Sequence, residues 1–456
     1  MAKLKTTYIC QQCGYESPKW LGKCPACNEW NTIQEELIAA KKTSAANQPV
    51  RNSTTVKPVL LDEVTTENYP RIDTRINELN RVLGGGLVPG SMTLIGGEPG
   101  IGKSTLALQI GLLSHSKILY ISGEESAQQI KYRAERIKKQ NKNLQILIET
   151  NLENILGALE NEKPPCIIID SVQTLQTDMI ESSPGTVSQV RECTNRLIQA
   201  TKQKNIATFL IGHITKDGSL AGPKILEHMV DTVLQFEGDQ NHLYRILRPL
   251  KNRFGSTSEL GIFEMRQDGL HEVPNPSEVL LNNMHDDLTG MDIASTVDGV
   301  RPFLVEIQSL VSTAAYGTPQ RSATGFDARR LNMLLAVLEK KVGFKLSVKD
   351  VFLNIAGGLK IIDPGIDLAV VVAVMSSNLD MPVTKNTGFA GEIGLSGETR
   401  PVIRIEQRIK EAEKLGFTQF FLAKKHEKQL HLKGLSMQLI FVSKVEEVIR
   451  KLFASG

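Results

Sequence analysis

The sequence predicts an α/β protein, with a nucleotide-binding core on a mostly parallel sheet, a small four-cysteine module before it and a second α/β domain after it. Three observations carry this. Cys10, Cys13, Cys24 and Cys27 form two Cys-x-x-Cys pairs. The run from Gly97 to Ser104 matches G-x-x-x-x-G-K-[ST], set between an apolar strand pattern and a helical one. Short apolar runs alternate with amphipathic helical patterns, the signature of strands crossed over by helices.

The cysteine module covers residues 1–35. Two knuckles bring four thiolates to one metal, which completes a tetrahedral zinc site with no open position, so a structural role is expected. So small a module has little core, and bound Zn²⁺ supplies most of its folding free energy. Cys166 and Cys193 lie in apolar strand and helix patterns and read as core residues. Residues 36–57 lack regularly spaced large apolar residues and read as a flexible linker.

The core is expected over residues 58–275. Its candidate strands are MTLIGG, ILYISG, LQILIET, CIIIDS and ATFLIGH, followed by the alternating HLYRILRPLK. Pro274 to Glu278 (PNPSE) marks the boundary, and residues 276–456 again mix strands and helices. The chain of 456 residues has 41% hydrophobic and 23% charged residues and a net charge of +3, so any basic surface is local rather than global. The N-terminus has no apolar stretch of signal length. The most apolar run, from Leu368, is too short to span a bilayer. A cytoplasmic protein without a membrane role is the expectation.

In the phosphate loop, Gly97, Glu98, Pro99, Gly100, Ile101, Gly102, Lys103, Ser104 and Thr105 are expected to hold ATP. Glycines let backbone N–H groups converge on phosphate oxygens, Lys103 adds a point charge, and the Ser104 hydroxyl offers a ligand to Mg²⁺. Asp170 ends an apolar strand, the place for a second Mg²⁺-holding carboxylate. Glu124, with Glu125 as competitor, ends another strand where a carboxylate orients the attacking water. His213 ends a third, placed to sense the γ-phosphate or simply to cap the strand.

The segments RINELNRVLGGGLVPGSMTLIGGEPGIGKST, YISGEES, IIIDSVQTL, HITKDGSLAGPKILEHMVDTVLQF and KNRFG resemble the bacterial RadA (Sms) family. The resemblance covers essentially the whole chain. It implies a RecA-like P-loop ATPase core and a DNA-dependent ATPase in recombinational repair. The implied form is a homo-hexameric ring of DnaB type that binds single-stranded DNA, promotes branch migration of recombination intermediates and works beside a RecA-type recombinase. In such rings ATP lies between subunits, and KNRFG is similar to their Lys-x-Arg element. Lys251 and Arg253 are then the cations lent in trans, on one face of an extended segment because side chains alternate. An arginine finger is worth about a thousandfold or more in rate. The segment Ile214 to Lys224 corresponds in position to a DNA-binding loop, with Lys216 and Lys224 on phosphates.

The C-terminal segments GGLKIIDPGIDLAVVVAV and GFAGEIGLSGETRPVIRIEQRIKEA resemble the Lon protease domain. That family uses a Ser–Lys dyad. Here Ile366 stands at the serine position and Arg408 at the lysine position, so a Lon-protease-like domain without its dyad, and no proteolysis, is expected. Ser376, Ser377 and Ser396 do not fall in register with a lysine. Arg321, Arg329, Arg330, Lys340, Lys341 and Lys345 form the densest basic cluster and are candidate DNA contacts. Two other readings stand beside the repair ATPase. An ATP-dependent protease is disfavoured by the missing dyad, and a KaiC-like signalling ATPase by the zinc module and Lon-like tail.

Overall fold

The computed structural model describes residues 4–12, 14–39, 70–213, 225–238, 244–275, 277, 281, 288–314, 318–430 and 434–453. The chain divides into two compact units. One spans residues 1–237 with 245–257 and 263–272; the other takes 238–244, 258–262 and 273–456. The boundary near 272 lies close to the turn-rich segment expected from sequence. The cysteine module clusters with the core in the first unit rather than standing apart. Its three-stranded sheet places Leu4–Cys10 between Glu16–Ser17 and Ile33–Ala39. The last strand therefore runs past the expected end of the module at residue 35.

The first unit is built on a nine-stranded sheet. All five strands read from sequence form: Met92–Gly97, Ile118–Ser122, Leu144–Ile148, Cys166–Asp170 and Ala207–His213. They are parallel, joined in the parallel stretch by Thr232–Glu237. Tyr244–Asn252 then runs antiparallel to Thr232–Glu237. Parallel strands covered on both faces read as unbroken apolar runs, and Met92–Gly97 and Cys166–Asp170 are buried throughout. Met92–Gly97 lies between Ala207–His213 and Thr232–Glu237. The loops at the carboxyl ends of Met92–Gly97, Ile118–Ser122, Cys166–Asp170 and Ala207–His213 therefore converge, which is where open α/β sheets bind ligands. Cys166 and Cys193 are buried core residues, as the apolar patterns predict.

The second unit has a seven-stranded mixed sheet, in the order 321–324, 349–355, 301–313, 291–298, 387–390, 419–423, 438–442. The apolar run from Leu368 is the buried helix Asp367–Leu379. Among the described residues no helix is long and apolar enough to cross a membrane.

Candidate nucleotide site and its neighbours

The phosphate loop leaves the buried strand Met92–Gly97 and enters the helix Lys103–Leu113. Gly102 caps that helix at φ +118, a left-handed backbone that strains any residue but glycine. Glu98, Pro99 and Gly100 are exposed, while Ile101 is buried and accepts a hydrogen bond at its carbonyl from Arg245 Nε. Ser104 and Thr105 open the helix, half-buried. Lys103 is only 4% exposed. Its Nζ donates to the carbonyls of Gly97 (2.7 Å) and Glu98 (2.9 Å), folding the side chain back over the loop. Burial pulls its pKa down to about 8, against the opposing pull of Asp170, Glu124 and Glu98.

Asp170 ends its strand 4% exposed. Tyr120 OH donates to its Oδ2 at 2.6 Å, and its Oδ1 is buried with no hydrogen-bond partner among the described residues. A buried carboxylate oxygen left unpaired is costly, and Mg²⁺ is the group whose chemistry fits it, a hard cation taking oxygen ligands. Burial first, and then the Asp170 charge, raise the Tyr120 pKa well above its ordinary value, which keeps the phenol a donor. Sequence reading missed Tyr120; its one available signal is its position in the strand next to Asp170's.

The two acidic candidates separate. Glu125 is paired with Arg133 of the helix Ala127–Ile137, and burial raises its pKa. Glu124 is exposed and accepts a hydrogen bond from Ser171 Oγ, directly after Asp170. The backbone of His213 pairs with Gly97 at the carboxyl end of its strand.

KNRFG lies at the other end of the sheet. Asn252 pairs with Thr232, and Thr232 with Thr93, four residues before the loop glycine Gly97. At about 3.3 Å per residue that is on the order of 13 Å along the strand, so Arg253 does not reach the phosphate loop of its own chain. Arg253 Nη1 contacts Asp231 Oδ1 at 3.1 Å, and its side chain is 53% exposed. Arg71 Nη2 donates to Phe254 O at 2.8 Å and Asn252 Nδ2 to Val82 O at 3.1 Å, which fix the turn to the VLGGG segment. Lys251 is engaged within its own chain. Its Nζ donates to the carbonyls of Glu227, His228 and Val230, capping the end of helix Ile225–Met229. Nor does strand alternation pair the two cations: the strand bulges between Pro249 and Lys251 and ends at Asn252.

In the cysteine module the ligand sulfurs of Cys10, Cys24 and Cys27 all lie within 4.8 Å of one another. Cys10 and Cys27 Sγ are 3.7 Å apart, close to the edge of about 3.8 Å that a tetrahedron with 2.3 Å Zn–S bonds requires. Both knuckles close the same way, Gly14 N onto Cys10 O and Asn28 N onto Cys24 O, each at 2.9 Å. These residues fit Zn²⁺. Cys13 lies outside the described residues, as do Lys216, Lys224 and the linker from residue 40 to its end at 57.

In the second unit Ile366 and Arg408 are fully buried. Arg408 Nη2 donates to Asp363 Oδ2 at 2.7 Å, Nε to Ile403 O at 3.0 Å and Nη1 to Ser295 O. Ser376 Oγ is held between Gly290 N and Met381 O, and Ser377 Oγ accepts from Val311 N. Arg330 is already engaged within the second unit. Its Nε and Nη2 grip both oxygens of Asp367, a wholly buried carboxylate that needs a cation. Arg321 donates to Asn332; it, Arg329, Lys340, Lys341 and Lys345 are exposed.

Comparison with known proteins follows this anatomy. Residues 8–35 match a rubredoxin metal binding domain, 57–219 an AAA domain and 310–426 subunit ChlI of Mg-chelatase. The DNA repair protein RadA of Bacillus subtilis is 50% identical, with 99% of each chain covered. The chain belongs to the RadA family of DNA repair proteins. RadA of Listeria monocytogenes is 49% identical over 99% of this chain and 98% of its own. That of Streptococcus pyogenes serotype M6 is 49% identical over the whole of both. Membership in this family, with its AAA domain, makes the chain an ATPase that uses ATP with Mg²⁺, and the ribbon carries Zn²⁺.

Proposed function

We propose that the chain is a DNA-stimulated ATPase motor of recombinational repair, assembled as a homo-hexameric ring whose active sites are each shared by two subunits. The observation that supports this best is the separation of two half-sites on one sheet. Lys103 and the unpaired Asp170 oxygen lie at the carboxyl end, and the half-exposed Arg253 at the other. A cation that cannot serve its own loop can serve a neighbour's.

In this reading the loop from Gly97 to Thr105 cradles the phosphates of ATP. Lys103 leaves its two carbonyls to meet them. Ser104 and Asp170 hold Mg²⁺, which supplies neutralisation of phosphate charge when bound. Tyr120 fixes Asp170, Ser171 orients Glu124, and Glu124 positions the attacking water while His213 reports the γ-phosphate. Arg253 of the neighbour stabilises charge developing in the transition state. Lys251 braces the segment that carries Arg253, so hydrolysis senses subunit placement through a rigid arm. Single-stranded DNA binds through backbone phosphates with Lys216 and Lys224 as its contacts, and Arg321, Arg329 and Lys345 are candidate contacts to duplex DNA. The product of motion is branch migration of recombination intermediates in the cytoplasm, alongside a RecA-type recombinase. The second unit cleaves no peptide, because Ile366 carries no nucleophile and the Arg408 guanidinium stays protonated.

The test is ATP turnover titrated with single- and double-stranded DNA at several salt concentrations, for Lys103→Ala, Arg253→Ala and their mixture. Each variant alone should be inactive or nearly so. The mixture should regain part of the activity through hybrid sites holding an intact loop and an intact arginine. Mixed assemblies that form but recover nothing would remove the shared site.

A further inference from the structure

The zinc ribbon carries both tryptophans of the chain, Trp20 and Trp30. They are among its most exposed large apolar side chains, at 58% and 67%. Nothing in the nucleotide chemistry uses them. Their arrangement is not that of a loose surface. Trp20 Nε1 donates to Ile33 O at 3.2 Å, which fixes the indole on the strand that closes the ribbon. Trp30 sits at the isolated bridge to Lys23, and Lys23 Nζ lies 5.6 Å from the Trp30 ring centroid. Between the two rings is Gly22, where a Cβ would come to 3.6 Å from Trp20 and 3.9 Å from Trp30. Those are ordinary contact distances, so the two rings border one backbone position.

We propose that this slot is a base-stacking site for single-stranded nucleic acid, with Trp20 and Trp30 as the aromatic faces and Lys19 and Lys23 as the cations for the adjoining phosphates. Indole faces accept any base, because every base has a π-face, and neighbouring cations track the backbone. The exposed surround breaks up any apolar patch: Lys19, Lys23, Asn28, Glu29 and Asn31 stand among Pro18, Pro25 and Ala26. Two separate rings in such a setting suit stacking better than they suit the continuous apolar core of a protein interface. A strand held here would be read without sequence preference, as the rest of the proposed DNA contact is. The site rests on the repair-motor reading for its ligand and adds to it a role for the ribbon beyond its metal.

Because no other tryptophan exists in the chain, intrinsic emission reports on this surface alone. The experiment uses the zinc-loaded full chain with a dye-labelled oligothymidylate. Anisotropy of the dye follows binding and tryptophan emission follows contact; an abasic strand of the same length serves as the second probe. Oligothymidylate should quench the emission and the abasic strand should not. Trp30→Ala should weaken oligothymidylate binding by about five- to a hundredfold, and Trp30→Phe should retain most of it, with zinc content equal in all forms. Binding by anisotropy with unchanged emission and an unweakened Trp30→Ala would overturn the stacking site and leave the motor reading standing. Quenching by a recombinase-type protein but not by DNA would also overturn it and assign the slot to a protein. No DNA binding at all would sink both readings.

Discussion

Two buried cations anchor the two units of this protein, and they are finished to different degrees. Among the described residues Lys103 donates to two loop carbonyls alone, and Asp170 Oδ1, whose carboxylate acts on its charge, has no hydrogen-bond partner. Arg408 meets Asp363 and two carbonyls through all three of its nitrogens, and Asp363 Oδ2 accepts further hydrogen bonds from Thr296 Oγ1 and Val297 N. One arrangement is left incomplete in a way that a bound anion and metal would complete. The other is complete and closed, at the place where a protease would keep its reactive pair. An unsatisfied buried polar group marks a ligand site more reliably than a buried charge does, since a charge that has found all its partners is architecture.

The largest test of this contrast is Lys103→Ala. Turnover should fall by at least about a thousandfold, on the scale of removing a phosphate-stabilising cation, while thermal stability stays the same or rises. The sign follows from the depressed pKa: burial already disfavours the charged amine, so removing it relieves a cost. Melting followed beside ATP turnover separates the two effects, and a loss of stability matching the loss of activity would break the contrast.

Arg408→Met should do the reverse. It leaves the largely covered carboxylate of Asp363, 11% exposed, without its cation, at a cost of about 3–5 kcal/mol to the second unit, with nucleotide affinity of the first unit unchanged. Arg408→Lys should confer no peptide cleavage, since Ile366 still supplies no nucleophile.

A smaller effect is expected at Tyr120→Phe. Asp170 keeps its charge but loses one hydrogen bond, so the rate should drop about tenfold. Most of that loss should be recovered at high Mg²⁺. A drop that Mg²⁺ leaves untouched would place Tyr120 outside metal positioning.

The smallest effect is read as a slope. Asp292 is buried in the second unit with no partner for Oδ2 among the described residues, and burial holds its pKa well above the ordinary carboxylate range. Folded protein thus keeps a proton that unfolded chain gives up near pH 3.8. Its contribution to stability is full below that value and declines as pH rises towards the folded-state pKa. Asp292→Asn should flatten this decline above pH 3.8 in urea melts.

What sequence alone determined was local. The loop signature, two cysteine knuckles and five apolar runs each state their own chemistry within a dozen residues, because glycine conformation, thiolate spacing and strand burial are set by near neighbours. Thr232–Glu237 is not among the strands expected of the core, since a strand that pairs with distant segments carries no fixed local period. Only the tertiary structure separated Glu124 from Glu125, found Tyr120 beneath Asp170, and turned Lys251 and Arg330 inward. A side chain's charge is written in the sequence. Whether that charge is already satisfied depends on groups brought to it from elsewhere in the chain: Asp367 to Arg330, and the carbonyls of 227, 228 and 230 to Lys251.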